Sequence, residues 1–539
     1  MRRRLLRILF VTVFAIVAAG LGTLTALVTV PPGKDLLARL VTEESNRLVR
    51  GSVSIGRIRG DFLTGLQLDS VVIRDTAGSL LADVPRLEIR FRLADLLAKR
   101  FLFQSVQATG IRLEVVKHRG GRMNYQEILK LNEGPPGTGP GTLLQLDELR
   151  IVDGTVTVRT PWNPDGRLRT DRQRDSALAA ERAKPGRRIE PAERPSDGLV
   201  AIRTLERVNA HFPTMRISSP DRKPFSATIG SLAARVSDPG LTVVDLRGEI
   251  VQGADSLLFD LERAALPNTV TRGKGRIDWP QDTLLYQFEM AASRLDLVDL
   301  RWVSPDFPAL QGRGRVVARS LAGSRTEYDI RDLDVRDASS RVAGRLVAIL
   351  DVHRGLGFRD LALDLGNLDL EAVRPYLDTL PLRGRISGPL EATGFFDAMT
   401  VRTDWRFDDA RVEGGGANLL ALEGDLTLGG PDGMVFHGAR ITRSDLDLRT
   451  IRLVTPAVAL DGRLALAGRL EGPWRDVVYE GRVEHQDGDR PRSALTGRAR
   501  LDTRGAILGL DARLTIDTLW FDGIRPSFPT TPMLGRIGG

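Results

Sequence analysis

The strongest constraint on the fold is a strict alternation of apolar and polar residues that returns along most of the chain. It runs without a fault through residues 87–93 (LEIRFRL) and returns at 111–115 (IRLEV) and 446–449 (LDLR). In a β-strand, this alternation places every apolar side chain on one face and every charged side chain on the other. Clusters of Gly, Asp and Pro separate the alternating segments, as turns do. The sequence therefore predicts many amphipathic strands.

A sheet with one aliphatic face must bury that face by closing on itself, by packing on a second layer or by holding an apolar ligand. Helical periodicity is rare between the strands, so a separate second layer is not expected. We predict an all-β fold, an elongated repetitive antiparallel β gutter or solenoid with an apolar inner face that holds acyl chains. The residues predicted to line this groove are Leu87, Ile89, Phe91, Leu93, Ile111, Leu113, Val115, Leu426, Leu428, Leu446, Leu448, Leu464 and Leu466.

A short phrase, Gly-Arg followed by an apolar or small residue, also recurs along the chain. The gaps between its occurrences are 39, 30, 40, 78 and 35 residues, and 78 is twice 39. Self-similarity at such an interval is typical of repeat architectures. We predict a degenerate unit of about 39 residues that holds three or four short strands. The phrase begins at Gly275, Gly314, Gly344, Gly384, Gly462 and Gly497.

The residues that usually carry chemistry are absent or scattered. The chain has no cysteine, which excludes disulfides, thiolate metal sites and thiol nucleophiles. Its five histidines lie far apart and none has the spacing of a metal-ligand motif. No nucleophile elbow, Walker loop, zinc-binding helix, dinucleotide fingerprint or calcium loop occurs. We therefore expect a protein that is not an enzyme and that binds no metal and no cofactor.

The net charge of +8 could suggest a nucleic-acid partner. The basic residues, however, are spread evenly and interleaved with Asp and Glu, and no basic stripe with interleaved aromatic residues appears. A nucleic-acid partner is therefore not expected.

The N-terminus carries the sharpest local signal. Residues 8–30 form an uncharged apolar run that would be about 35 Å long as a helix, enough to cross a hydrocarbon core of about 30 Å. Arg2, Arg3, Arg4 and Arg7 precede it, so the positive-inside rule places the N-terminus in the cytoplasm. We predict a single-pass protein of the bacterial inner membrane with its body in the periplasm.

Two alternatives concern the segments in and next to this span. Cleavage after Ala19 as a signal peptide is disfavoured, because the apolar run is longer than a signal h-region of roughly 7–15 residues. Residues 34–50 have apolar positions at helical spacing. They predict an amphipathic helix that lies either at the membrane surface or as a cap on the β body.

Several phrases in the chain resemble those of the AsmA-like family. The N-terminal module of that family resembles residues 56–60 (GRIRG), 65–78 (GLQLDSVVIRDTAG), 93–97 (LADLL) and 111–114 (IRLE). Its recurring short helix followed by a strand resembles residues 368–377, 382–388 and 295–300, and a repeat ending resembles 470–474 (LEGPW). The resemblance implies an elongated β gutter between inner and outer membranes. It also implies roles in phospholipid passage and in outer-membrane protein assembly.

Family members are commonly longer and end in a C-terminal domain that meets an outer-membrane partner. The sequence given ends at Gly539 without that domain, so a fragment or a short relative is expected. The expected organisation is a cytoplasmic tip, a transmembrane anchor, an N-terminal AsmA-like module, a disordered charged insertion and a repetitive β gutter. These segments cover residues 1–7, 8–30, 31–160, 161–198 and 199–539.

The leading functional hypothesis is a membrane-anchored conduit for phospholipid between the two membranes, because acyl chains need a continuous aliphatic face. The alternative is a scaffold for outer-membrane protein assembly and secretion that uses exposed strand edges and carries no lipid. A purely structural spacer remains a third possibility, whereas an envelope hydrolase lacks a nucleophile and base. The expected partners are membrane phospholipid and an outer-membrane barrel protein of the assembly type.

Overall fold

The computed structural model divides the chain into two compact units, Met1–Pro267 and Asn268–Gly539. This boundary differs from the expected one after residue 198. The structure describes residues 51–61, 65–75, 78–92, 94–95, 98, 100–118, 123–124, 143–164, 170–184, 186–219, 221, 223–253, 255–279, 285–321, 324–374, 382–414, 416–428, 433–456, 458, 460–505, 509–524 and 535–538. The predicted anchor and the four arginines before it lie outside these residues.

The N-terminal unit contains thirteen described strands, one described α-helix, α1 (Asp171–Arg182), and one short 3-10 helix, Pro195–Asp197. The strands are β1 (Ser52–Asp61), β2 (Gly65–Arg74), β3 (Leu80–Phe91), β4 (Phe101–Thr109), β5 (Arg112–Val116), β6 (Leu144–Trp162), β7 (Arg188–Pro191), β8 (Leu199–Ser218), β9 (Phe225–Ile229), β10 (Ser231–Val236), β11 (Leu241–Val243), β12 (Asp245–Gln252) and β13 (Ser256–Ala265).

Most strands of this unit pair in antiparallel fashion, but β6 is an exception to the predicted pattern. Strands β1 to β4 form an antiparallel meander. Strand β6 lies parallel to β4 and then to β5, which follow one another in the same direction across Gly110. A parallel pair requires a long crossover, and residues 117–143 between β5 and β6 provide that length. The wholly antiparallel sheet predicted from the sequence is therefore wrong at β6.

The expected disordered insertion contains regular structure. Helix α1 begins with a capping box, in which the Thr170 hydroxyl accepts from the Gln173 amide and the Gln173 side chain accepts from the Thr170 amide. Strand β7 then pairs with β8 and buries Ile189. The prediction of disorder for residues 161–198 is therefore wrong for the described part of the segment. The high density of charged residues suggested disorder, although the segment contains one buried apolar residue and a well-capped helix.

The C-terminal unit contains fifteen described strands and two described α-helices, α2 (Leu448–Val454) and α3 (Phe521–Ile524). The strands are β14 (Val270–Asp278), β15 (Leu285–Asp296), β16 (Gln311–Leu321), β17 (Arg325–Arg336), β18 (Arg341–Asp351), β19 (Gly355–Asp369), β20 (Gly384–Phe395), β21 (Ala398–Asp409), β22 (Gly416–Thr427), β23 (Val435–Asp447), β24 (Arg463–Pro473), β25 (Asp476–Gln486), β26 (Ser493–Asp502), β27 (Gly509–Trp520) and β28 (Arg536–Ile537).

Each strand from β14 to β27 pairs antiparallel with the next strand in sequence, which makes a fourteen-stranded meander. Strand β28 pairs only with the last two residues of β27. The prediction of a repetitive all-β fold is confirmed for the described residues. Among those residues, no helix is both long enough and apolar enough to cross a membrane.

The Gly-Arg phrase marks alternate strands of the meander, except that β22 lacks it. It lies inside β14, β16, β18 and β26, begins β20, and directly precedes β24. The unit is therefore one hairpin of two long strands, not three or four short strands. At Gly344, φ is +138° and a Cβ would stand 2.2 Å from the Ala362 carbonyl oxygen. Only glycine allows this close approach of β18 to β19.

A longer repeat of four strands is superimposed on the hairpins. Short helical turns follow β15, β19, β23 and β27, so they lie at one side of the meander. The first two are 3-10 helices, Leu297–Leu300 and Leu370–Ala372, and the other two are α2 and α3. The resemblance had implied a short helix of this kind at 368–377 and 295–300. An Asp side chain caps each of the first three turns, with distances of 2.9, 3.0 and 2.9 Å to the backbone nitrogens of Val298, Glu371 and Arg449.

One buried polar side chain fixes each helical turn to the strand that begins its repeat. We call Thr269, Ser340, Asn418 and Ser493 the latch residues; each is at most 4% exposed. Their side-chain oxygens accept from the backbone N–H just before the turn, at Asp296 (3.0 Å), Asp369 (3.4 Å), Asp447 (2.8 Å) and Trp520 (3.0 Å). The same contact thus recurs four times, at intervals of 71, 78 and 75 residues.

Replacing a latch should loosen its helical turn. Asn418 also donates to the Gly416 carbonyl at 2.6 Å and to the Thr450 hydroxyl at 3.2 Å, so Asn418→Ala leaves several buried groups without partners. We expect a loss of about 1–3 kcal/mol in the free energy of unfolding. Hydrogen exchange should accelerate in residues 447–454. The control Gln287→Ala, on an exposed position of β15, should leave the exchange unchanged. Unaltered hydrogen exchange in Asn418→Ala would show that the Asn418 side chain does not stabilise the helical turn.

Candidate apolar binding face

One face of the C-terminal meander is apolar across ten consecutive strands. A single register row crosses β15 to β24, and large side chains alternate with small ones over most of its length. The large ones therefore cover their small neighbours, and Ala318 is fully buried. The row consists of Phe288, Ala318, Tyr328, Ala348, Phe358, Gly394, Met399, Leu426, Phe436 and Gly472. We call the face that carries this row the apolar face.

The middle of the apolar face buries itself. Two clusters of buried side chains lie there, one around Leu426 and Phe436 and one around Ile386 and Phe407. Every described hydrophobic side chain that packs against them comes from residues 342–477, which are β18 to β25 and their turns. In a flat single layer, the outer ends of such side chains would remain in water. The face is therefore concave here, and its own strands supply the cover.

The apolar face is more open towards both ends of the meander. On β15 to β17, Phe288, Met290 and Tyr328 are only partly buried. On β27, Leu510 is 59% exposed and Leu514 is 40% exposed. A protein that exposes such a patch usually uses it for binding.

Two tyrosines place a polar contact in this apolar surface. The hydroxyls of Tyr286 and Tyr328 are 2.9 Å apart, and the Tyr286 ring stacks on Phe288 with centroids 5.7 Å apart. Burial raises the pKa of Tyr328, and the hydrogen bond with Tyr286 adds to the effect. Both causes favour the neutral hydroxyl of Tyr328, so this contact adds no charge to the apolar face.

The opposite face carries arginine and carboxylate ladders. Examples are Arg402 with Glu423 at 3.0 Å and Arg443 with Asp404 at 2.9 Å. Such exposed pairs contribute about 0–1 kcal/mol each, so they do not hold the fold together. Their effect is to keep one face of the meander wet while the other face is apolar.

The structure places most of the predicted groove residues in strands. In the N-terminal unit, Leu87, Ile89 and Phe91 lie on β3, Leu113 and Val115 lie on β5, and Ile111 directly precedes β5; Leu93 lies outside the described residues. They do not form one row. Leu87 and Ile89 pack against a cluster that contains Val106 and Leu149, whereas Leu113 packs against Leu81 and Ala82.

In the C-terminal unit, four of the predicted residues do share the apolar face. Leu426 lies on β22, Leu446 stands opposite Leu464 on β23 and β24, and Leu466 follows on β24. Leu428 directly follows β22 and packs against the Leu426 cluster.

Leu448 is a correction, because it is not on a strand. It begins α2 and is 1% exposed. Asp447 caps this helix, so the alternation in residues 446–449 is interrupted after Asp447. Although burial opposes it, hydrogen bonds from Arg449 hold the pKa of Asp447 below its usual value, which keeps the cap ionised at neutral pH. In the sequence, an N-cap Asp between two leucines gives the same alternating pattern as a strand.

Sequence reasoning missed the aromatic and sulfur side chains at the centre of the face, including Phe358, Met399 and Phe436. Register shifts hid some of them, because an extra residue in a strand moves the side chains that follow it to the opposite face. One such shift lies between Phe358 and Leu361, where Asp360 has a φ of +52°. Asp and Asn tolerate this conformation better than most residues, so an Asp between two apolar runs was the available signal.

Two of the described histidines each contact one carboxylate. His118 Nδ1 lies 2.8 Å from Asp197 Oδ2, and His211 Nε2 lies 2.9 Å from Glu148 Oε2. Across the part of the chain that the structure describes, no group of three or more His, Asp or Glu side chains is arranged to hold a metal ion. Comparison with models of protein families, with curated proteins and with solved structures found no match to this chain.

Two leucines on the same face should respond differently to truncation. Leu426→Ala removes a side chain that is 4% exposed, and we expect it to cost about 2–5 kcal/mol of unfolding free energy. Leu510→Ala trims a largely exposed side chain and should change stability by less than about 0.5 kcal/mol. Urea unfolding of the detergent-extracted chain, followed by circular dichroism, measures both. Equal costs would contradict the division into a buried middle and an open end.

Proposed function

We propose that this chain is an inner-membrane-anchored periplasmic conduit that carries phospholipid acyl chains along the apolar face of β14 to β27. The observation that carries the proposal is the continuity of that face over many strands combined with its partial exposure at both ends. A closed hydrophobic core would be covered throughout, whereas this face is only partly buried on β15 to β17 and is exposed on β27.

The dimensions of the face suit an acyl chain. Seven strand spacings of about 4.8 Å separate β18 from β25, which gives a path of roughly 34 Å. A single leaflet of the hydrocarbon core is about 15 Å deep, so a whole acyl chain fits along this path. Each methylene that leaves water gains about 0.8 kcal/mol, so a modest number of contacts would hold a lipid tail.

The sequence supports an envelope location for this activity. The predicted anchor at residues 8–30 would fix the body beside a donor bilayer. The phrases at residues 56–60, 65–78 and 368–377 resemble the AsmA-like family and, within it, TamB, the inner-membrane subunit of the translocation and assembly module. Phospholipid transport is one activity that this resemblance implies.

The alternative proposal is a scaffold for outer-membrane protein assembly without lipid carriage. One observation favours it: β27 presents a long strand edge, which β28 covers only at Leu519 and Trp520 among the described residues. A client strand could pair there by β-augmentation. The two proposals differ in which surface meets the cargo, so they can be separated by position-specific labelling.

Photo-crosslinking at neighbouring residues tests the conduit. Leu346, Leu422 and Leu470 point to the apolar face, and all three are partly buried. A photoreactive amino acid at any of these positions should capture phospholipid in cells, since an acyl chain in the groove would lie against it. Mass spectrometry of the purified adducts would identify the lipid.

The matched controls are the adjacent residues Arg345, Glu423 and Arg469, which lie on the opposite face. Probes there should give no lipid adduct, although they are only one residue away in sequence. Equal lipid labelling on both faces of folded protein would reject the conduit. Capture of a protein strand at β27, with no lipid on the apolar face, would favour the scaffold.

A further inference from the structure

Strand β27 is an edge that the rest of the described chain leaves open. Residues 509–515 are all exposed, and β28 covers only the far end of the strand. Natural edge strands are usually protected by proline, by a charge on the inner face or by short length. Strand β27 is twelve residues long, contains no proline and carries no charge among Leu510, Ala512, Leu514 and Ile516 on its apolar face.

Two of the three charges on the other face of β27 are poorly placed, whereas the third, Asp517, pairs with Arg482 at 2.9 Å. Arg513 stands directly opposite Arg498 of β26, a like-charge pair that is destabilising in a sheet. Asp511 stands opposite Arg500, but Arg500 is engaged by both carboxylate oxygens of Asp476 at 2.7 Å. Among the described residues, neither Asp511 nor Arg513 has an ion-pair partner. A strand added at this edge would therefore be favoured if it placed an acid opposite Arg513 and a base opposite Asp511.

We propose that β27 pairs antiparallel with β27 of a second copy of this chain, about a twofold axis that passes through Ala512. This register places Asp511 opposite Arg513 of the partner copy, twice, and Leu510 opposite Leu514, twice. The same contact then gives each exposed leucine an apolar neighbour and each unpartnered charge an opposite charge.

Neighbouring registers either oppose like charges or leave Asp511 without a basic partner; an axis at Leu510, for example, would place Asp511 opposite Gly509. Antiparallel self-pairing requires a shift of the axis by whole residues, because the outward backbone groups must meet each other. An axis at Asp511 or at Arg513 would place that residue opposite its own copy, and an axis at Leu514 would oppose Asp511 with Asp517. Only the axis at Ala512 avoids like charges while it pairs the two leucines.

The twofold axis is perpendicular to the sheet, so it keeps the apolar faces of both copies on the same side. Leu514 belongs to a register row that runs back through Gly497, Gly481 and Gly468 to Ile441. Pairing at β27 would therefore join the apolar faces of the two copies into one surface. The inferred partner is a second copy of this chain, and this inference does not depend on what the surface carries.

Single cysteines test the register directly, because the chain has no cysteine of its own. Directly opposed residues of antiparallel strands have Cα atoms about 4.5–5.5 Å apart, within the range for a disulfide. Ala512→Cys in the full-length, membrane-embedded protein should therefore give a covalent dimer on mild oxidation. Thr515→Cys is the matched control on the same exposed strand; its two copies would stand about 20 Å apart and should not crosslink.

Charge reversal gives an independent test. Arg513→Asp or Asp511→Arg alone would oppose like charges at both pairs and should weaken the dimer at least tenfold in sedimentation velocity. The double variant Asp511→Arg/Arg513→Asp should restore it, because the pairs are only exchanged. All four side chains of the two pairs are on exposed strand positions, and circular dichroism would verify that each variant is folded.

The outcomes separate the possible occupants of the edge. A dimer with Ala512→Cys alone, together with rescue by the double reversal, supports the proposal. Folded protein that forms no dimer with Ala512→Cys overturns it, and so does equal crosslinking through Thr515→Cys. Crosslinking of Ala512→Cys to a different protein would replace the second copy with that partner.

Discussion

The C-terminal unit depends on a constraint that follows from its alternation: a sheet with one apolar face must remove that face from water. No described hydrophobic side chain from outside residues 342–477 packs against the clusters at its centre. The strands must therefore curve until their own side chains cover one another. Alternation of large and small residues along the row from Phe288 to Met399 makes this possible, since a concave face has less room than a flat one.

Curvature on this scale requires a register that does not slip, because a shift by one residue would turn the apolar side chains into water. The latch residues meet this requirement at one side of the meander. Each of them lies near the start of a four-strand repeat and accepts from the backbone just before its helical turn. A slip by one residue would bury an unpaired N–H at that point, which costs about 1–3 kcal/mol. Buried polar atoms thus specify a register that the aliphatic contacts alone could not.

The sequence predicted this unit well where local rules were sufficient. Alternation places a residue on a face without knowledge of its neighbours, so Leu426, Leu446 and Leu464 were correctly assigned to strands and share the apolar face. The fold class followed from the same alternation, and the existence of a repeat followed from the recurring Gly-Arg phrase. Failures arose where one polar residue changes the period. Asp447 ends a strand by capping a helix, and Asp360 lies at a bulge with a left-handed backbone. Neither effect is visible in hydrophobicity alone.

In the N-terminal unit too, the sequence pattern alone did not predict which segments join the sheet or which strands pair. The charged segment before β8 has almost no apolar pattern, yet Ile189 is buried and α1 is capped. One buried isoleucine is enough to fix a short strand on an existing sheet, because the sheet supplies the hydrogen-bond partners. Likewise, the alternation of residues 111–115 predicts a strand but not its parallel neighbour, which is set by the connection to β6.

A face that buries itself cannot at the same time bind a ligand. The apolar face separates the two roles, because its middle is buried and its ends are more exposed. In the middle, side chains such as Leu426 already contact each other, so a lipid tail would have to replace contacts that stabilise the fold. At the ends, around Tyr328 and Leu514, an apolar ligand would instead cover surface that is now in water. Binding there gains free energy without loss of internal contacts. A conduit built on this sheet would therefore load and unload lipid at its ends. In the middle, a passing acyl chain would displace contacts between side chains and would have to replace them with its own.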